Sequence, residues 1–331
     1  MWKKTASFDI AKFICAILVI TIHTYPFLNI SQELNTFVVS GVARVAVPLF
    51  FVISAYFFFQ HDEDHIGTYL KRIGKLYVIW SLLYLPFYII ANKDFGLTIM
   101  IVKYIRNFFF IGSHYHLWFL PALMFAIYVV NYFHRYYDMK KLVFISGILY
   151  LIGYLGNIYF DELYQIPYLA KGFDYYVQVF STTRNGLFFG IPYVVMGYCC
   201  TKFQPVKTSL QWFGTVIGWS VVYLAEVALL NHFHILDDLS CMYLSLIPLV
   251  YVLFRWLQSL DIEITTPFIM MRKMSLLIYV SHILIYMLVC RIFVICTYFE
   301  LFMITCGMTL VFSGIVIFLS KWIPLLKHLY E

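Results

Sequence analysis

Charged residues are scarce in this chain of 331 residues, where they make up 12% of the sequence against 63% apolar residues. A soluble domain carries about 25% charged and about 45–50% apolar residues. A soluble fold of this length could not hide so much apolar surface, so the composition excludes the soluble classes and indicates lipid as the solvent. The net charge of +6 does not indicate a nucleic-acid partner, because the basic residues form short clusters between apolar runs, as loop anchors do.

The sequence also lacks the spacings that bind metal ions. No CxxC motif and no Cys/His ligand spacing occurs among the seven cysteines, most of which lie inside apolar runs. Cysteines in such runs behave as small hydrophobic residues. We therefore expect no metal site and no bound cofactor.

Long hydrophobic runs dominate instead. A spanning helix needs about 20 mostly apolar residues. Ten runs approach or reach this length: 8–28, 39–60, 74–91, 116–133, 142–160, 185–200, 211–230, 241–257, 274–296 and 301–323. The apolar stretch 96–111 contains Lys103 and Arg106, and we interpret it as a surface-lying or re-entrant helix. The sequence predicts an all-α integral membrane protein, a bundle of about ten transmembrane helices in one domain over residues 1–331.

Basic clusters follow every second run, which predicts the orientation of the bundle. The clusters are Lys3/Lys4, Lys71/Arg72/Lys75, Arg135/Lys140/Lys141, Lys202/Lys207, Arg255/Arg272/Lys273 and Lys321/Lys327. The positive-inside rule assigns all six to the cytoplasmic side. The prediction is a multi-pass protein of the bacterial cytoplasmic membrane with both termini inside.

The first run carries three ionisable residues, which are costly in lipid and usually face a bundle interior or a cavity. Lys12 and His23 are eleven residues apart, close to three helical turns, so they share one face at an axial separation of roughly 16 Å. Asp9 precedes Lys12 by three residues and can pair with it. His23 lies in the outer half of the helix, and Lys12 lies near its cytoplasmic end.

Two further runs carry polar residues at a depth similar to that of His23. Arg44 lies about five residues inside the second run, where it either meets His23 or extends to the outer surface. Ser275, Tyr279 and His282 recur at i, i+4 and i+7 in the ninth run, which is one stripe of a helix. His282 is either a satisfied core histidine or part of a site.

Polar and aromatic residues also open the runs on the outer side. His116 and Trp118 begin the fourth run, Arg184 begins the sixth, and Asp237 and Asp238 precede the eighth. Each has an ordinary interfacial interpretation. Together they concentrate ionisable groups at the outer mouth and favour a site there.

The residues of the first two helices resemble the acyltransferase-3 family of membrane acyltransferases. Asp9, Lys12 and His23 match its D-x-x-[RK]-x10-H signature, and the stretch from Arg44 to Tyr56 is similar to its R-x-x-V-P-x-F-F-x-x-S-G-Y motif, with Ala55 in place of glycine. A narrower likeness links the chain to the membrane half of VanT-type serine racemases. It is carried by 116–123, Thr183-Arg184-Asn185-Gly186 and 242–244. We expect the chain to lack the racemase domain of those proteins.

The resemblance implies transfer of an acyl group, commonly acetyl, from cytoplasmic acyl-CoA (acetyl-CoA) to a hydroxyl of a cell-envelope saccharide or similar acceptor. His23 is the natural general base, because an imidazole titrates near neutral pH. Arg44 would stabilise the anion, and Asp9 completes the catalytic set. Lys12 would hold donor phosphates. The further donor- or substrate-binding candidates are His116, Trp118, Arg184, Asp238, Ser275, Tyr279 and His282. No Ser-x-Gly nucleophile elbow occurs, so direct transfer is the simpler route.

The sequence leaves two other functions open. A carrier or binding protein for a small amino acid such as serine would use Arg44 or Arg184 for the carboxylate and Asp237 or Asp238 for the ammonium group. A membrane scaffold without chemistry of its own would leave the buried charges unexplained.

Overall fold

The structure is a computed structural model that describes residues 6–60, 65–237, 239–294 and 297–331. Throughout these residues the regular secondary structure is helical, and no strand occurs. A helix satisfies all backbone hydrogen-bonding groups within one segment, which is what a lipid environment demands. The chain divides into two compact units. Unit 1 is Met1–Ser54 with Cys200–Tyr330, and unit 2 is Ala55–Cys199 with Glu331.

Fourteen α-helices occur among the described residues. They are α1 (Ser7–Thr24), α2 (Gln32–Thr36), α3 (Ala46–Phe58), α4 (Ile66–Ala91), α5 (Leu97–Arg106), α6 (Phe119–Phe133), α7 (Met139–Ile158), α8 (Phe160–Tyr164), α9 (Pro167–Phe180), α10 (Ile191–Lys202), α11 (Ser209–His232), α12 (Leu246–Ser259), α13 (Thr266–Ile292) and α14 (Tyr298–Leu319). Short π-helical turns occupy Phe37–Gly41, Asn107–Ile111 and Gly186–Gly190, and 3-10 turns occupy Val42–Val45 and Pro324–Leu329.

Seven helical segments in the described part of the chain are long and apolar enough to cross a membrane. They are Ser7–Thr24, Gln32–Phe58, Ile66–Ala91, Met139–Ile158, Ser209–His232, Thr266–Ile292 and Tyr298–Leu319. Two shorter apolar helices, Phe119–Phe133 and Leu246–Ser259, coincide with the predicted fourth and eighth runs. The all-helical membrane fold is thus confirmed, whereas the count of about ten spans and the orientation stay predictions.

Unit 1 is built on α1 and α13, which pack against each other, while α14 packs against both of them. The first turn of α1 also meets the end of α12: Phe8 stacks on Phe254 at a ring-centroid distance of 5.1 Å, and the Ser7 hydroxyl donates to the Leu257 carbonyl at 2.7 Å. This anchoring buries the start of α1 inside the unit. Asp9, which lies in this first turn, is consequently buried in protein.

Unit 2 places α6 against α4 and against the π-helical turn Gly186–Gly190. Asn185 caps that turn, because its side chain accepts hydrogen bonds from the amides of Leu187 and Phe188. Gly112, which ends the π-helical turn after α5, has a φ of 104°, and a Cβ there would lie 2.6 Å from the Trp118 amide nitrogen. Only glycine fits such a backbone without strain, and this tight turn positions the loop that carries His116 and Trp118.

Three helices of unit 2 are too short to span a bilayer and bury none of their own residues. They are α5, α8 and α9, with 10, 5 and 14 residues. The guanidinium of Arg106 in α5 donates to the Gln178 carbonyl of α9 at 2.8 Å. The sequence prediction of a short non-spanning helix within 96–111 agrees with α5, but the helices within 160–184 were not predicted, because that stretch has no run of spanning length.

The predicted orientation can be tested by labelling single cysteines from outside in a cysteine-free background. Lys141, Asp161 and Lys327 are all exposed in the structure, so a cysteine at any of them is open to reagent. The charge pattern predicts that an impermeant maleimide labels position 161 and reaches positions 141 and 327 only after permeabilisation. Labelling of position 327 from outside, with position 161 protected, would show that the orientation is inverted.

Candidate active site

Two histidines face each other in unit 1. His23 lies in the last turn of α1, and His282 lies in the middle of α13, with ring centroids 5.2 Å apart. His282 is buried at 1% exposure, whereas His23 is half-buried. The sequence placed each on a polar stripe of its own helix, and the packing of α1 on α13 brings the two together.

The backbone of α13 fixes the tautomer of His282. Its Nδ1 lies 2.8 Å from the Tyr279 carbonyl oxygen and 3.0 Å from that of Ile278. A carbonyl only accepts hydrogen bonds, so Nδ1 carries the hydrogen and donates it. In the neutral ring Nε2 then holds the lone pair and is the nitrogen that can accept a proton. The pair is therefore suited to acid–base chemistry.

Tyr279 and Ser275 continue the stripe of His282, and both are buried. The Tyr279 ring lies 6.4 Å from the His282 ring and 6.4 Å from the Phe50 ring. The Ser275 hydroxyl donates to the Arg272 carbonyl at 2.8 Å, one turn back in its own helix. Tyr279 thus lines the histidine site, whereas Ser275 is engaged with the backbone of α13.

Arg44 lies in the 3-10 turn Val42–Val45 and is buried at 5% exposure. This turn packs against α1, the helix of His23. The Arg44 charge also acts on Tyr243, a buried residue in the segment before α12. Its phenolic hydroxyl can donate a hydrogen bond, so Tyr243 places a donor beside the Arg44 charge.

Glu226 in α11 is a carboxylate within a candidate membrane span, and it was not among the predicted site residues. One oxygen accepts from the Leu244 amide at 2.9 Å, and the other accepts from the Ser245 amide at 2.8 Å and from the Ser245 hydroxyl. The carboxylate thus satisfies backbone donors at the start of α12 and fixes the segment that carries Tyr243. A lone acid inside the apolar run 211–230 was the sequence signal that could have identified it.

The cytoplasmic end of α1, as predicted from charge, holds a second polar group. Asp9 is buried, and one of its carboxylate oxygens lies 3.9 Å from the Arg272 Nε atom of α13. Lys12 is half-buried and is the other cation that acts on Asp9. The predicted pairing partner of Asp9 was Lys12, and the structure adds Arg272, a partner from another helix.

In unit 2 the loop before α6 brings His114 and His116 together, with 3.1 Å between their Nδ1 atoms. Burial lowers the pKa of His114 to about 4, so its ring is neutral at physiological pH. The ring of Tyr84 contacts both, at centroid distances of 4.6 and 4.9 Å. His116 is therefore part of a packed aromatic group whose second histidine, His114, was not among the predicted site residues.

Trp118 and Arg184 also meet within unit 2. The guanidinium carbon of Arg184 lies 5.1 Å from the Trp118 ring, a cation–π geometry.

Asp238, predicted to bind substrate, lies outside the described residues. Its neighbour Asp237 is exposed, and its carboxylate accepts from the Leu239 amide at 2.8 Å and from the Ser240 hydroxyl at 2.9 Å. Asp237 thus holds a local turn.

Comparison with known proteins gives one family and several racemases. A family model described as an acyltransferase domain, acyltransferase-3, matches residues 5–319. An amino-acid racemase of Enterococcus faecalis is 30% identical over 258 residues, which are 77% of this chain and 36% of that protein. A second amino-acid racemase of Enterococcus faecalis is 27% identical over 308 residues, covering 87% of this chain and 42% of that protein.

A serine/alanine racemase of Enterococcus gallinarum is 28% identical over 269 residues, which are 76% of this chain and 38% of that protein. The chain therefore spans about two fifths of the length of the curated relatives that it matches. No solved structure matches the chain significantly.

Proposed function

Because the chain belongs to the acyltransferase-3 family of membrane acyltransferases, we propose that it transfers an acyl group, most simply acetyl, from acyl-CoA on the cytoplasmic side to a hydroxyl of a cell-envelope sugar or similar acceptor. Membrane acyl transfer is the activity that the family suggests. The observation that supports this chemistry best is the His23–His282 pair, which supplies a proton acceptor inside a membrane helix bundle at a ring distance of 5.2 Å.

In the proposed reaction, His23 removes the proton from the acceptor hydroxyl while the hydroxyl oxygen attacks the thioester carbonyl. The carbon–oxygen bond forms first, the carbon–sulfur bond then breaks, and the histidine proton leaves with the CoA thiol. His282 supports this role, since the hydrogen of its Nδ1 is held by the helix backbone and the lone pair of Nε2 remains for proton exchange.

Arg44 and Tyr243 are the proposed partners of the negative charge that develops on the carbonyl oxygen. A fixed cation and a fixed hydroxyl donor in a water-poor site stabilise such a charge without having to reorganise during the reaction. Glu226 contributes by fixing the backbone before α12, so it is a positioning residue in this scheme. The burial of Arg44 and Tyr243 supports this assignment.

The racemase relatives favour a second candidate function, the binding or carriage of a small amino acid such as serine. In that case Arg44 or Arg184 would bind the carboxylate group. The Asp237 carboxylate is engaged in a local turn, so Asp238 is the predicted ammonium partner that remains.

A liposome experiment on the full chain separates the two functions. An acyltransferase releases CoA thiol from acetyl-CoA only when an envelope saccharide acceptor is present, whereas a carrier binds serine saturably and independently of CoA. We expect acceptor-dependent thiol release. Serine binding that Arg184→Ala abolishes, without thiol release for any acceptor, would overturn the acyltransferase proposal.

Lys12 is expected to bind the phosphates of the donor. Replacing it with alanine should weaken acyl-CoA binding by about tenfold or more, because a charge-assisted hydrogen bond is lost. Lys12→Arg should retain most of the affinity, because the charge remains. Acyl-CoA affinity at fixed salt is the measurement, and Lys327→Ala, which removes an exposed lysine, is the matched control.

A purely structural Lys12 would give another result. If Lys12 only compensates Asp9, then Lys12→Ala and the double variant with Asp9→Ala would lower the melting temperature and leave acyl-CoA affinity unchanged. Unchanged affinity would remove Lys12 from the donor site.

A further inference from the structure

Arg255 in α12 is a buried cation, at 3% exposure. Its Nη1 atom donates to the Phe203 carbonyl at 2.8 Å and to the Gln258 side-chain oxygen at 2.7 Å, and both acceptors are neutral. The Nε atom is buried, and among the residues that the structure describes no group accepts its hydrogen and no carboxylate pairs with the guanidinium. A buried charge without a counter-ion is strongly unfavourable. A bound anion would therefore compensate the buried charge of Arg255.

A second unsatisfied donor lies beside it. Trp212, in the first turn of α11, is 7% exposed, and its indole Nε1 finds no acceptor within the described ranges. The Arg255 guanidinium carbon is 5.9 Å from the Trp212 ring, and the Lys207 ammonium is 5.0 Å from it. Guanidinium and indole nitrogens donate hydrogen bonds and accept none. The Arg255–Trp212 cluster (Arg255, Trp212 and Lys207) thus combines two cations with two donors that need an acceptor.

The position of the cluster suits the polar edge of a bilayer. Trp212 lies about 5 Å from the start of α11, by helical rise, and Arg255 lies in the final turns of α12, which ends at Ser259. Tryptophan and basic residues concentrate at head-group depth, and basic pockets between helices there bind anionic lipids. Lys207 is exposed and its ammonium lies near the Trp212 ring, so one member of the cluster is at the protein surface.

We propose that the Arg255–Trp212 cluster binds a phosphate oxyanion, carried either by an anionic lipid head group or by a soluble phosphate. The planar guanidinium, which offers several donors in one plane, matches phosphate oxygens. The indole N–H supplies a further donor, and Lys207 supplies a second charge. This site is separate from the histidine pair and does not depend on the reaction proposed for that pair.

The test uses the full chain in maltoside micelles, which contain no phosphate, with phosphatidylglycerol or inorganic phosphate as the added probe. Native mass spectrometry counts retained lipid, and thermal unfolding follows the response to inorganic phosphate. We expect retention of phosphatidylglycerol, lowered at least about tenfold by Arg255→Gln, as for loss of a charge-assisted hydrogen bond. Trp212→Phe keeps the ring and removes only the N–H, so it should lower retention less. Lys321→Gln removes an exposed lysine elsewhere and is the control.

The outcomes separate the sources of the phosphate. Stabilisation by inorganic phosphate that Arg255→Gln abolishes, without selective lipid retention, assigns the site to a soluble phosphate. If Arg255→Gln does not fold, Arg255→Lys decides, because it keeps the charge and loses the Nε–H, and lower retention or a lower phosphate response supports the proposal. Lipid retention and phosphate response equal to wild type in Trp212→Phe and in the folded Arg255 variant would overturn the proposal.

Discussion

His23→Ala should slow acyl transfer by about 10²–10⁴-fold, the contribution of a positioned general base, while the protein still inserts and folds. His23 is half-buried at the end of α1 and faces His282, so the substitution removes one ring of a pair and leaves the α1–α13 contact largely in place. Thiol release from acetyl-CoA with a saturating acceptor is the measurement. His232→Ala, which removes an exposed histidine from the last turn of α11, is the matched control.

The double variant that combines His23→Ala with His282→Ala tests whether the two imidazoles act together in proton transfer. Groups that act as a unit are strongly non-additive, so the double variant should be little slower than the slower single variant. A general base must be unprotonated to act, so the wild-type rate should depend on pH, and this dependence should be lost in His23→Ala. Full activity of His23→Ala, with the wild-type pH profile, would remove His23 from the mechanism.

Arg44→Gln should lower kcat by about 10²–10³-fold, which is the usual cost of losing one oxyanion donor, with little change in KM for the acceptor. Arg44→Lys should fall between this variant and wild type, because it keeps the charge but lacks the planar fork. Steady-state kinetics for both variants are the measurement. Their melting temperatures must be compared as well, since Arg44 is buried.

Tyr243→Phe is the companion variant, because it removes only the hydroxyl beside Arg44. A kcat loss in the same direction would support a shared anion site. If Arg44→Gln instead leaves kcat unchanged and abolishes saturable serine binding, then Arg44 recognises a carboxylate, and the carrier function replaces acyl transfer.

Much of the membrane architecture could be predicted, because hydrophobic length and backbone hydrogen bonding leave few alternatives in lipid. The helix boundaries differ from those of the predicted runs. α4 begins at Ile66 although the predicted run began at 74, and α13 begins at Thr266 instead of 274. Both helices extend through basic residues that the hydropathy pattern assigned to loops. A helix does not have to end where its apolar face ends, since its backbone is satisfied equally well in the polar zone.

The candidate site was predictable only within each helix. Spacing assigned His23 and Lys12 to one face of α1 and His282 to one stripe of α13, but the sequence could not specify that α1 would pack on α13 and bring the two imidazoles together. The same reason applies to Asp9, whose partner Arg272 is far away in the chain. Arg255 was assigned to a loop cluster by its sequence position, and its burial became evident only from the packing around it.

The π-helical turn Phe37–Gly41 sets the angular phase between the two halves of its span, because Arg44 follows it and α2 precedes it. Each residue of an α-helix advances the direction of its side chain by about 100°, so removing one residue from this wider turn would restore ordinary pairing and rotate α2 relative to Arg44. A substitution keeps the number of residues and so does not shift this phase. An insertion or deletion of one residue would shift it and would change the direction of the Arg44 side chain relative to α2, while the hydropathy of the span stays nearly the same.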